Sequence, residues 1–312
     1  MKAEAIELPD RTTLVAFLAL SLIGGMNVVA VKLSNEALAP LFGAATRFSA
    51  AALLFFVFMA VRRIPLPRGR ALVGAALYGV LGFATFYALA YWALVELSAG
   101  VGAVVLASVP LLTLAFVALH GVETVHRRGL LGAMLAIVGI AVLVSGPSDA
   151  RVAVLPLLAA IGAAAAGAES GVIVKMFPPS HPVAMNAVGM GIGSILLFLF
   201  SAAFGESWTM PTESSTWVVF GYLVTFGSVG LFGLFLFTLK RWTASGVSYM
   251  TVLMPIVSAG AGALLLDEPI TTSLLLGGVI VLAGVYVGAL SGGVKSRVDR
   301  PEIAPAEEPS TA

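Results

Sequence analysis

Residues 162–176 read GAAAAGAESGVIVKM, a lipid-soluble run of alanine, glycine and valine broken by one carboxylate, Glu169. Whether this is a core helix, a membrane span or part of a binding site depends on the rest of the chain. Of its 312 residues 59% are hydrophobic and only 11% charged, with a mean hydropathy of +1.04. A soluble domain averages about 25% charged residues, and one this apolar lacks the polar groups to cover its surface. The stretch therefore reads as a membrane span. The sequence contains no cysteine, which excludes disulfides, thiolate metal sites and cysteine nucleophiles.

Windows of about 20 apolar residues, enough to cross a hydrocarbon core of about 30 Å, mark candidate spans. Ten are expected: 12–31, 37–61, 71–94, 98–119, 129–146, 152–175, 182–204, 215–239, 244–265 and 271–291. Each must be helical, because lipid offers no partner to an open backbone. The first follows an eleven-residue lead (1–11), lacks a small-residue cleavage site and reads as a retained helix. The end of the chain (292–312) is rich in proline and charge and reads as a disordered tail. With both termini in the cytoplasm, fourteen of the seventeen Lys and Arg residues fall on the inner side. Lys32 and Arg151 lie outside and Arg47 within a span, which is the asymmetry of the positive-inside rule.

A shift of 145 positions lays Ala99 on Ala244, Pro110 on Pro255, Glu123 on Glu268, LLG (130–132) on LLG (275–277) and Gly139 on Gly284. A shift of 143 lays VVAVK (28–32) on GVIVK (171–175), pairing Lys32 with Lys175. The shift corresponds to five helices, an odd number, so the second copy runs upside down relative to the first. The expected fold is an all-α integral membrane protein: ten transmembrane helices as two inverted five-helix repeats (12–146 and 152–291) around a central cavity. Inverted repeats are the architecture of alternating-access carriers, although some channels share it.

The sequence resembles the drug/metabolite transporter superfamily in its ten-helix EamA-type branch, most closely the YddG-type amino-acid exporters. The resemblance covers 12–291. It rests on GGMNVVAVK (24–32), with Gly24 where the family has tryptophan, on Arg47, Pro110 and Pro255, and on HGVE (120–123) and LLDEP (265–269). It implies export of amino acids, aromatic ones included, and related small metabolites across the inner membrane. Other metabolites, nucleobases or cationic drugs are the alternative.

Each candidate residue has a functional and a structural reading. Glu169 is either a cavity group for an ammonium or a coupling proton, or a partner of Arg47 that holds helices together. Arg47 reads as a structural charge. Asn27 aligns with Ser170 under the shift of 143, a small polar group on the first helix of each half that suits either substrate or interhelical hydrogen bonds. In the third span Tyr78 and Gly82 lie on one face with Thr85, Leu89 and Trp92, as a cavity wall or a packing face. Phe83, Tyr87 and Tyr91 lie opposite. Ser108 precedes Pro110, and Ser248 and Tyr249 precede Pro255. The two prolines are hinge candidates or static kinks. Gly284 reads as a packing residue, and His120, His126 and His181 as solvated groups at span ends. The expected cavity is lined by spans 1, 3, 4, 6, 8 and 9.

No HExxH, GxSxG or Walker loop is present, which argues against an enzyme and against ATP hydrolysis. No metal site, cofactor or nucleic-acid partner is expected, and oligomeric state stays open. The expected partners are small amino acids or metabolites and the lipid bilayer.

Overall fold

The computed structural model describes residues 10–120, 127–144, 153–241 and 250–287. Those residues form ten helical rods: α1 (Arg11–Ala37), α2 (Pro40–Arg62), α3 (Arg70–Glu96), α4 (Ala99–Leu119), α5 (Arg127–Val144), α6 (Val154–Met176), α7 (Pro182–Ala203), α8 (214–241), α9 (Met250–Leu265) and α10 (Thr272–Val285). Seven of them, α1–α4 and α6–α8, are long and apolar enough to cross a membrane. The other three are described over shorter stretches that adjoin residues outside the described ones. α9 and α10 are apolar but have 16 and 14 residues, and α5 has 18 residues and opens on Arg127 and Arg128. Residues 1–9 of the N-terminal lead, the C-terminal tail and most of the HGVE run lie outside the described residues.

Helix starts are set by identifiable groups. Asp10 accepts from Thr13 N at 2.7 Å and caps α1. Its hydrogen bonds to Thr13 hold its carboxyl below the usual range. α2 opens on Pro40, whose missing N–H costs nothing in a first turn. The next two amides, of Leu41 and Phe42, donate to Glu206 at 3.0 and 2.9 Å. That carboxylate comes from beyond α7, so α7 and α2 are tied through a helix N-terminus. Trp208 stacks on Phe42 at 5.7 Å and covers the same end.

Two rods are not α-helical throughout. Residues Gly79–Thr85 of α3 and Thr225–Gly230 of α8 form π-helical runs. In each, an amide reaches five residues back: Phe86 N to Leu81 O, and Leu231 N to Phe226 O. The two runs sit at matched places under the 145-residue shift, with Gly82 falling on Gly227. α4 is interrupted at Ala107–Ser108, and Pro110 sits in the first turn of its second segment. Pro255, its counterpart in the repeat, lies inside the unbroken helix α9.

Between helices the contacts depend on missing side chains. A Cβ on Gly139 of α5 would stand 2.8 Å from Gly277 O, and one on Gly284 of α10 would stand 2.7 Å from Gly132 O. The 145-residue shift carries the first contact onto the second, so α5 and α10 meet reciprocally. The neighbour pattern repeats in the same way. α2 packs on α7 and α5 on α10, α1 packs on α9 as α6 packs on α4, and α6 packs on α3 as α1 packs on α8.

Gly284→Leu and Gly139→Leu are each expected to destabilise the fold by about 1–3 kcal/mol, the usual cost of overpacking. Thermal unfolding of detergent-solubilised protein checks this. Gly171→Leu is the control, because nothing lies within 4 Å of its Cβ position.

Candidate functional site

Three groups of polar side chains inside the bundle join helices distant in sequence. The first is built on Arg47, fully buried in the third turn of α2. Its Nε donates to Ser228 Oγ at 2.8 Å and its Nη2 to Gly227 O at 2.7 Å, both in the π run of α8. Nη1 donates to Tyr91 OH at 3.1 Å and Nη2 also to Asn27 Oδ1 at 3.3 Å. The guanidinium lies over the rings of Phe48 at 4.9 Å and Tyr87 at 5.4 Å. Asn27 Nδ2 donates to Gly227 O at 3.3 Å, so both residues use the one carbonyl. A Cβ on Gly227 would collide with Asn27 Oδ1, so only glycine lets this carbonyl come so near.

The second group lies at the C-terminal end of α4. His120 Nε2 and Glu169 Oε1 are 2.7 Å apart, with side chains 30% and 20% exposed. Glu169 Oε2 is buried without a hydrogen-bond partner. The pairing of Glu169 with Arg47 that the sequence allowed is not formed among the described residues. His120, read from sequence as a solvated end residue, is its partner instead. His181 is exposed at the start of α7, as read, and its Nδ1 accepts from Val183 N at 3.3 Å. The sequence signal for His120 was weak: α4 ends there, and imidazole suits a helix C-terminus.

The third group closes the other end of α4. Glu268 accepts from Ala99 N at 2.9 Å and pairs with Lys32 Nζ at 3.0 Å. Lys32 also donates to Leu97 O at 2.7 Å. Asp267, at φ 51°, takes the left-handed turn that aims Glu268 back at α4. This carboxylate thus caps a helix of the first half from a loop of the second.

The remaining candidates disperse around these groups. Ser170 is buried and donates to Gly167 O at 2.7 Å in its own helix, with its Oγ 3.1 Å from the Cβ position of Gly82. This contact matches Asn27 against Gly227 in the other half. Ser108 donates to Val105 O at 2.6 Å. Tyr78 packs edge-on against Phe83 at 5.2 Å. The two faces read on the third span are displaced by the π run, which pairs Tyr78 with a residue five further on. The more buried face carries Phe83, Tyr87 and Tyr91, while Trp92 is exposed. Gly167 packs on the Phe86 ring, whereas Gly171 faces open space. Ser248 and Tyr249 lie outside the described residues. An apolar crevice of about 10 Å³, room for about one water, lies between α3, α4 and α6 beside Ala90, Leu94, Gly102 and Ala160. Among the described residues no His, Asp or Glu cluster has the makings of a metal site.

Comparison with known proteins decides the family. The EamA-like transporter family model matches twice, over residues 11–145 and 153–289. The chain belongs to the EamA-like transporter family. It is therefore a multi-pass membrane transporter and not an enzyme. YedA of Escherichia coli (strain K12), described as an uncharacterized inner membrane transporter, is 30% identical over 279 residues, covering 87% of this chain and 89% of its own. An uncharacterized transporter of Archaeoglobus fulgidus is 29% identical, covering 84% and 93%. A probable amino-acid metabolite efflux pump of E. coli (strain K12) is 28% identical, covering 85% and 90%. A crystal structure 19% identical in sequence superposes with a TM-score of 0.64 over 91% of this chain and 99% of that one, which shows a shared fold.

Lys32→Ala and Glu268→Ala are each expected to lower the midpoint of thermal unfolding, and the double variant to be no worse than the poorer single. A double-mutant cycle on melting curves then returns a coupling of about 1 kcal/mol or more for this half-buried pair.

Proposed function

We propose that this transporter is a secondary carrier that exports amino acids and related small metabolites across the inner membrane by alternating access. The observation that carries this reading is the doubled architecture. One family model matches both halves, and Gly139 on Gly277 repeats as Gly284 on Gly132. A two-fold relation between halves of five helices inverts one against the other, giving ten spans with both termini in the cytoplasm. Carriers of this build bind substrate between the halves, near the bilayer midplane. The group around Arg47 answers that description, since α1, α2 and α3 of one half meet α8 of the other there.

Two relatives support amino acids as the substrate class, being described as probable amino-acid metabolite efflux pumps. The buried aromatic column of Phe48, Phe83, Tyr87 and Tyr91 favours a large apolar side chain, in keeping with the YddG-type resemblance. In this reading Asn27, Tyr78, Gly82, Ser108, Ser170, Ser248 and Tyr249 line the path, and Pro110 and Pro255 mark where α4 and α9 bend. Glu169, with one oxygen on His120 and the other unpartnered, carries the coupling proton.

Counterflow of radiolabelled amino acids into liposomes loaded with each unlabelled amino acid in turn tests the substrate class. Uptake of at least one is expected, and uniform failure returns the choice to other metabolites or drugs. An imposed pH gradient is expected to accelerate export by the wild type and to leave Glu169→Gln flux unchanged. Flux indifferent to both gradient and substitution would remove the proton role. The absence of native cysteine makes single-cysteine accessibility mapping direct, and labelling of one position from both sides at once would indicate a channel.

A further inference from the structure

Among the described residues Arg47 has no counter-charge. A guanidinium stays protonated in any protein environment, and placing one inside a span is costly. Yet its hydrogen-bond partners among the described residues are all neutral: a serine, a tyrosine, an asparagine and a backbone carbonyl. Among the described residues no carboxylate lies within ion-pair distance of it. Glu169 is held by His120 and Glu268 by Lys32.

Packing does not require an arginine at this place. α2 and α7 both begin on proline, Pro40 and Pro182, and aligning those prolines lays Arg47 on Gly189. Gly189 meets the π run of α3 with bare backbone: a Cβ on Gly79 would stand 2.6 Å from its carbonyl oxygen. One half of the molecule thus closes the helix-on-π-run contact with glycine. The other half puts a full positive charge there.

The geometry also separates two edges of the guanidinium. The side edge, Nε and Nη2, is held by α8 through the shorter bonds, 2.8 Å to Ser228 Oγ and 2.7 Å to Gly227 O. The end fork, Nη1 and Nη2, carries the longer ones, 3.1 Å to Tyr91 OH and 3.3 Å to Asn27 Oδ1. Of its five N–H groups, one on Nη1 is left over by these four bonds. An end fork with two parallel donors matches a carboxylate, and a charged acceptor outbids neutral ones for it. The rings of Phe48 and Tyr87 flank the guanidinium and offer an apolar surface to whatever the carboxylate is attached to.

We propose that the end fork of Arg47 is the seat of the substrate's carboxylate, which displaces Asn27 and Tyr91 from Nη2 and Nη1 while Ser228 and Gly227 keep their hold. The inference rests on the carrier reading for its function and names the substrates of that site as carboxylates bearing an apolar or aromatic group. The two bonds that occupation breaks join α2 to α1 and to α3 within one half, while the bonds from Arg47 to α8 of the other half stay in place. Asn27 and Tyr91, released together, free α1 and α3 from the buried charge.

The test uses the purified full chain with five probes: L-phenylalanine, 3-phenylpropionate, L-phenylalaninamide, phenylethylamine and inorganic phosphate. Binding is read by thermal shift and transport by counterflow in liposomes. L-phenylalanine and 3-phenylpropionate are expected to bind the wild type at least about tenfold more tightly than the amide and the amine, the scale of a lost charge-assisted pair. Arg47→Gln is expected to abolish that preference and Arg47→Lys to retain part of it. Tyr91→Phe keeps the ring and frees one donor, and is expected to tighten carboxylate binding. Should Arg47→Gln fail to fold, the wild-type panel and Tyr91→Phe still decide. Equal or better binding of the amide and amine overturns the proposal, as does a folded Arg47→Gln with unchanged preference, a preference for phosphate, or no binding of either carboxylate. Carboxylate binding without counterflow would instead overturn the carrier reading and leave the seat standing. Counterflow of amines that ignores Arg47 would do the reverse.

Discussion

Contact between glycine and a neighbouring helix's carbonyl is the constraint on which the rest of this bundle depends. In lipid no hydrophobic force draws one apolar helix to another, and close packing supplies what attraction there is. Gly139 on Gly277, Gly284 on Gly132 and Gly79 on Gly189 bring backbones nearer than any side chain would allow. Once helices stand that close, the few polar groups between them can reach one another. Arg47 reaches Gly227 O because Gly227 has no Cβ in the way.

The carboxylates of the ordered core are placed with similar economy. Glu206 and Glu268 each sit at the N-terminus of a helix distant in sequence, where free amides and the helix dipole favour an anion. Each tethers elements from the two halves: Glu206 joins the end of α7 to α2, and Glu268 joins the α9–α10 turn to α4. α4 is held at both ends, by Glu268 at its start and by His120 on Glu169 at its finish. Its break at Ala107–Ser108 lies between those anchors.

Much of the fold was legible in the sequence, because hydropathy over 20 residues is a strong signal and a lipid environment leaves helices as the only solution. The repeat was legible at Gly139 and Gly284, where matched residues turned out to make matched contacts. The site was less so. Arg47 was visible as a charge, but its partners Ser228 and Gly227 lie about 180 residues away and present themselves only because α8 leaves α-helical register. No residue preference announces a π run, so the faces of α3 were drawn on a period that Gly79–Thr85 does not keep. His120 and Glu169 are separated by 49 positions, and only the fold brings imidazole to carboxylate.

The paired π runs also show where the two family-matched segments part company. Both carry the same local irregularity at matched positions, with Gly82 on Gly227. When α2 and α7 are aligned on Pro40 and Pro182, Arg47 falls on Gly189 and has no charged twin. One π run thus gives a carbonyl to a buried arginine, while the other is met by the bare backbone of a glycine. The bulge is common to both segments and the charge is private to one, so whatever Arg47 does is done once per molecule.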